Sequence, residues 1–423
     1  MPLHAGVVAL FDGSAPELGE LRERVGERLA LLPHHRSVPA PVPLGQGRPV
    51  WAADAAFALE RHVQATALPG LGGEAELATL AGRLLERPLQ RGRALWELCL
   101  VENVGAARFA LVAKTHLALV HAGPDLLSMA LDGARAPAAP EPDPDPAPAP
   151  LRLLFETLAQ RATSPSETLQ RARAAGARAH EELLWRDLDP LERIGSPARS
   201  RVSARPGLGR RFAWVNASLK GARRAKERLG GTLNDVVLTA LAGALGDYLR
   251  AHGEDTDGRL LRALVPLAAS DGTLIAGYAP LPVGIVDPRR RHAEISRALD
   301  GLRSSGHARA ASELVEAGAH APGATVARAA RLAASHHGYD LVIANVPGPR
   351  QRLRLLGREL TAIYPALPLL RTQGLSVALV SYAGRLCFGL LADYDAIADL
   401  DLLAALLARS LRELPKAPSK RSG

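Results

Sequence analysis

The sequence predicts an α/β protein built as two units, on three observations. Short apolar runs with strand character alternate with helical patterns along most of the chain. A proline-rich stretch, "PAAPEPDPDPAPAP" at 137–150, interrupts that alternation. And 423 residues, 47% of them hydrophobic, exceed what one compact core usually fills.

The elements follow in order. "AGVVALFDG" reads as a strand ending in a turn. "ELGELRERVGERLALLP" carries leucine and valine at helical spacing and stops at Pro33. "EAELATLAGRLLERPL" is a second amphipathic helix. "ALWELCLVENV" and "RFALVAKTHLALV" are strands joined through "GAA" as a hairpin, and "DLLSMALDGAR" is a short helix. Proline at nearly every second position of 137–150 can neither pair in a sheet nor continue a helix, so that stretch reads as an extended linker. The organisation expected is therefore an N-terminal unit at 1–136, the linker at 137–150, a helical connection at 151–205 and a C-terminal unit at 206–423.

The C-terminal unit opens on the strand "RRFAWVNASL" and the helix "KGARRAKERLG". The long apolar helix "GTLNDVVLTALAGALGDYLRAHGE" follows, with Thr232 and Asp235 spaced as a capping box. Strands are expected at "LLRALVPLA", "YAPLPVGIV", "YDLVIANV" and "LTAIYPAL". "GLSVALVSYAGRLCFGLLAD" is a hairpin turning at Gly384, and "DLDLLAALLARSLREL" closes the chain as a helix.

Composition excludes several functions. The net charge is +9, yet only five of the 52 basic residues are lysine, which fits the codon bias of a high-GC genome. A basic face for phosphate-bearing ligands or anionic lipid is the functional alternative. No basic stripe is interleaved with aromatics, so nucleic acid is not an expected partner. Cys99 and Cys387 sit in apolar runs and read as buried core thiols of a reducing cytoplasm, not as a disulfide framework or metal site. "MPLHAGVVALFDG" lacks the basic start of a signal peptide, and no run reaches the apolar length of a spanning helix. "SHHG" at 335–338 lacks an acid at useful spacing, "GLSVA" lacks the second glycine of a nucleophile elbow, and "GLG" at 207–209 lacks the third glycine of a dinucleotide loop.

Several segments together resemble the bacterial wax ester synthase/diacylglycerol acyltransferase family. In the C-terminal half these are "NDVVLTALAGAL", "RALVPLA", "PLPVGIVDP", "ANVPGPR", "IYPALPL" and "GLSVALVSYAGRLCFGLLADYDAI". In the N-terminal half they are "PLGQGRPVW", "RPLQRGRALWELCLVEN" and "RFALVAKTHLALV". The resemblance implies two chloramphenicol-acetyltransferase-like α/β halves with a channel between them. It implies transfer of a fatty acyl group from acyl-CoA to diacylglycerol or a long-chain alcohol, with acyl-CoA as substrate and neither cofactor nor metal. It also implies a cytoplasmic protein, with peripheral contact at the inner membrane face or a lipid droplet as an option.

The family signature, HHxxxDG, uses its second histidine as general base. A neutral imidazole suits the task, because an alcohol must lose its proton as it attacks the thioester. In "KTHLALVHAGPD", Lys114 and Thr115 match the lead-in and His116 the first histidine. Leu117 stands at the base, His121 at the aspartate and Ala122 at the glycine. Two relocated sites are conceivable. His116 could serve directly, although strand alternation would turn it away from any channel that Leu117 faces. His121 with Asp125 recreates the histidine–aspartate spacing four residues downstream, although Asp125 also suits a helix N-terminus. Asn234 and Asp235 match the family's Asn-Asp pair beside the channel, and helix capping explains them equally well. A member that binds acyl-CoA or lipid without turnover, or that partners an active paralogue, is the alternative to an enzyme.

Overall fold

A computed structural model of the chain describes residues 3–119 except 30, 31, 33, 44–48, 71 and 91. It also describes 127, 130–132, 200–268, 274–304, 339–346, 348–349, 351–370 and 372–416. The proline-rich linker, the helices expected at 125–135 and 151–191, and "SHHG" lie outside the described residues, apart from isolated positions at 127–132.

Two six-stranded sheets organise the protein. The first sheet takes β1 (His4–Asp12), β4 (Val63–Ala67), β5 (Trp96–Glu102) and β6 (Arg108–His116) from the N-terminal part. It is completed by β11 (Arg354–Leu355) and β12 (Arg358–Ala366), giving the order β11-β12-β1-β6-β5-β4. The C-terminal unit expected at 206–423 thus lends two strands to the other lobe. The helices α1 (Leu18–Leu29), α2 (Leu59–His62) and α3 (Glu74–Glu86) belong to this lobe, as does a small hairpin of β2 (Ser37–Ala40) and β3 (Val50–Ala53).

The second sheet holds β7 (Arg210–Ser218), β8 (Leu260–Ala268), β9 (Leu274–Pro282), β10 (Leu341–Val346), β13 (Leu375–Tyr382) and β14 (Arg385–Asp393), in the order β7-β14-β13-β10-β8-β9. β10 runs parallel to both neighbours. Its near-continuous apolar sequence suits a strand covered on both faces. Helices α4 (Leu219–Leu229), α5 (Leu233–Ala251), α6 (Pro288–Ser304) and α7 (Leu400–Glu413) complete the lobe. α5 is buried around most of its circumference, with α6 and α7 packed on it, which explains its largely apolar sequence. Among the described residues no single helix is long and apolar enough to cross a membrane.

The alternating pleat of the second sheet joins the lobes. Phe212, Val380, Tyr382, Cys387 and Leu391 enter the first lobe's core. Ala213, Val215, Val377, Leu379, Leu386, Phe388 and Leu390 enter the second. One sheet therefore serves as a wall of both cores. β12 presses closely on it: a Cβ on Gly389 would stand 1.9 Å from the Pro365 carbonyl oxygen. In "NVPGPR", Gly348 makes a similar approach to the Ser381 carbonyl. Cys387 is buried in this wall, whereas Cys99, expected buried, is half-buried against the first core. Burial pushes both thiols up, Cys99 to about 11, so neither is a ready nucleophile.

Gly389→Ala is expected to destabilise the protein by about 1–3 kcal/mol in urea unfolding, because backbone must move to admit the methyl. Gly301→Ala, at a helical position open for 4 Å around, should be neutral or stabilising by up to about 1 kcal/mol. Equal midpoints for the two variants would show that the β12 contact is not tight.

Candidate active-site segment

The first half of "KTHLALVHAGPD" is anchored by the end of α3. In the antiparallel register, His4 lies opposite His116 and Gly6 opposite Lys114. Directly paired residues share a face, so these four side-chain positions line one side of the sheet. That side meets the last turn of α3, where a Cβ on Gly6 would strike the Leu85 side chain at 2.2 Å. Lys114 Nζ donates to the Leu84 carbonyl at 3.1 Å and the Arg87 carbonyl at 2.9 Å, and pairs with Glu97 at 2.8 Å. His4 Nε2 lies 2.6 Å from the Leu85 carbonyl. The two side chains satisfy carbonyls that the helix leaves open, and the ammonium suits the negative end of the dipole. The motif's lysine is thus a bolt between β6 and α3. Burial is the main reason His4 titrates low, at about 4, and the nearby Lys114 charge adds to it.

β6 ends at His116. Leu117 does not continue the strand. Its N–H donates to the Leu3 carbonyl, and Leu117–Leu119 form a 3-10 turn. The Leu3 bond carries the pairing of β1 with β6 one residue past the strand before the chain turns. His116 is half-buried, and its Nδ1 accepts the Ala118 N–H at 3.2 Å. A neutral imidazole with Nδ1 accepting carries its proton on Nε2, which leaves no second lone pair for an alcohol. His121 and Asp125 lie outside the described residues.

Asp235 was expected beside a substrate channel or in a helix cap, and its hydrogen bonds make it the cap. Its Oδ1 accepts the Thr232 hydroxyl at 2.6 Å. Its Oδ2 accepts the Thr232 N–H at 2.9 Å and the Ser296 hydroxyl at 3.2 Å. The Thr232 hydroxyl accepts the Asp235 N–H in return, completing the capping box read from the sequence. The carboxylate is fully buried. Asn234 sits half-buried in the same first turn. One turn on, the Thr239 hydroxyl lies 2.6 Å from the Asp235 carbonyl and 3.0 Å from His292 Nδ1, tying α5 to α6.

Sequence reasoning missed a polar contact where the lobes meet. Asn216 of β7 donates to the Tyr364 hydroxyl of β12 at 2.6 Å, and Trp214 stacks on the Tyr364 ring with centroids 4.9 Å apart. Burial pushes the Tyr364 phenol upward, so it remains protonated. Tyr364 pairs with Val8, four residues along β1 from His4, or about 13 Å of strand. Only the pairing of β12 with β1 could have revealed it.

With this geometry in place, comparison with known proteins identifies the fold's relatives. Residues 1–237 match the wax ester synthase/diacylglycerol acyltransferase catalytic domain, and 275–415 match the C-terminal domain of the same proteins. The chain belongs to that family. A probable diacylglycerol O-acyltransferase of Mycobacterium tuberculosis is 31% identical over 98% of this chain and 95% of its own length. A second from that organism is 27% identical over 99% and 92%. Among solved structures, the wax ester synthase/diacylglycerol acyltransferase of Marinobacter aquaeolei VT8 shares the fold, with a TM-score of 0.68 and 24% identity over 98% of this chain and 94% of that one. The first condensation domain of the calcium-dependent antibiotic synthetase shares it at a TM-score of 0.58 and 18% identity, over 99% and 92%. The two-lobed α/β architecture expected from the family resemblance is the one found.

The low pKa of His4 has a consequence for stability. Between about pH 6.5 and 4 the unfolded chain takes up a proton that folded His4 refuses. Its contribution is thus complete above about 6.5 and is lost as the pH falls toward and through 4. Urea midpoints at about pH 7 and pH 4.5 should show the parent losing about 2–3 kcal/mol more than His4→Gln, whose amide can still donate to Leu85. Equal losses would remove His4 as the titrating group.

Proposed function

We propose that this protein is an acyl-CoA-dependent O-acyltransferase whose acceptor is the hydroxyl of a diacylglycerol or long-chain alcohol. The observation that carries the reading is the match of both family domains along the chain, together with relatives of that named activity aligned over nearly their full lengths. In the reaction the acceptor oxygen attacks the thioester carbonyl and its proton passes to a base. The C–S bond then breaks, and the CoA thiolate leaves and recovers a proton. No cofactor is required by this chemistry. We place the protein in the cytoplasm, with peripheral contact at the inner membrane face, where a lipid acceptor is found.

Leu117 cannot take a proton, and the Nδ1 of His116 already accepts a backbone N–H. His121 is the remaining imidazole of the segment. We assign it the role of base, with Asp125 as its partner at the histidine–aspartate spacing of the signature. A general base contributes about 10²- to 10⁴-fold to such a step. Leu117 favours a second reading, in which the protein binds acyl-CoA or lipid without turnover or partners an active paralogue.

A thiol-release assay with palmitoyl-CoA and either dioleoylglycerol or hexadecanol separates the two. His121→Ala is expected to lower turnover about 10²-fold or more with acyl-CoA binding retained, and His116→Ala to change it less than about ten-fold. Turnover lost only in His116→Ala would move the base to the strand end. Acyl-CoA binding with no thiol release by the parent protein would establish the second reading.

A further inference from the structure

The helix α4, Leu219–Leu229, is a basic surface element that its own fold does not explain. It buries only Ala222 and Ala225, and joins α5 through Gly230 and Gly231 at a bend of 97°. Lys220, Arg223, Arg224, Lys226 and Arg228 are all exposed, five of its eleven residues, against the single acidic Glu227. Two of the chain's five lysines are among them. Among the described residues, no ion pair joins Lys220, Arg223, Arg224 or Lys226 to a carboxylate. The 3-10 turn Leu414–Lys416 packs on α4 and brings exposed Lys416 to its neighbourhood.

This pattern works against the helix. Lys220 and Arg224, and Arg224 and Arg228, stand at i,i+4, where like charges repel. Lys220 and Arg223, and Arg223 and Lys226, repeat the conflict at i,i+3. The macrodipole accounts for Lys226 and Arg228 in the last turn, but it disfavours a cation in the first turn, where Lys220 lies and no acid is present. A dense row of cations on one face of an amphipathic helix is relieved by a surface carrying many closely spaced anions. A bilayer containing anionic phospholipid is such a surface, and a single phosphate is not.

We propose that the exposed face of α4 docks this protein on membranes through anionic phospholipid headgroups. The contact is electrostatic, since α4 offers no large apolar side chain on that face. It presents the second lobe, to which α4 belongs, to the bilayer.

The test is flotation of the full-length protein with vesicles of phosphatidylcholine alone or with about 30 mol% phosphatidylglycerol. Binding is expected only to the anionic vesicles, and about 0.5 M NaCl should abolish it. The triple variant Lys220→Gln/Arg223→Gln/Arg224→Gln should bind about 100-fold more weakly, because each basic side chain near such a surface contributes about five-fold. Its thermal midpoint should be kept or raised, since like-charge pairs are removed. A control, Arg289→Gln/Arg290→Gln/Arg297→Gln, removes the same charge from α6 and should bind like the parent. Equal loss in both triple variants would make binding a matter of net charge and overturn the assignment to α4. Equal binding to neutral vesicles, or none to either, would overturn it as well. Flotation needs no turnover, so the docking proposal stands or falls apart from the acyl-transfer reading, which detergent-solubilised substrate tests with the same triple variant.

Discussion

The structure depends on one sheet packing into a core on each of its faces along β7, β13 and β14. Alternate residues of these strands enter different cores, so the lobes share a wall and not merely an interface. This leaves little tolerance in the wall, because a side chain that moves on one face shifts its neighbours on the other. The approach of β12 to Gly389 sets the spacing. The stack of Trp214 on Tyr364 and the Asn216 hydrogen bond set its lateral register.

That wall fixes where the first lobe's sheet can lie, and so where β6 ends. From there the local physics is that of a helix C-terminus. The carbonyls of Leu84, Leu85 and Arg87 need donors, and Lys114 and His4 supply them from adjacent strands. The lysine ahead of the signature thus works in construction. Leu117 starts a 3-10 turn and His116 accepts from Ala118, so the strand end is tied to its own backbone.

The same division between building and binding holds in the second lobe. Asp235, one residue of a family pair, turns its carboxylate to Thr232 and Ser296. α4 does the reverse. Lys220, Arg223 and Arg224 cost helix stability and form no ion pair among the described residues, which is the mark of a surface shaped for something outside the fold.

The sequence by itself determined the elements and the family. Periodicity marked α3, α5 and α7, alternation marked β1, β6 and the β13–β14 hairpin, and Thr232 with Asp235 announced a capping box that is there. These are local consequences of side-chain spacing and hydrogen-bonding capacity. Only the tertiary structure decided the rest. "LTAIYPAL" reads as a strand in any context, but nothing local says that it joins β1, whose Leu10 carbonyl and Thr361 hydroxyl meet across 351 positions of chain. Likewise Lys114 could have been a surface charge or a ligand contact, and the packing of α3 over Gly6 made it a cap. Long-range pairing is set by which faces can be buried together, and that choice belongs to the whole chain.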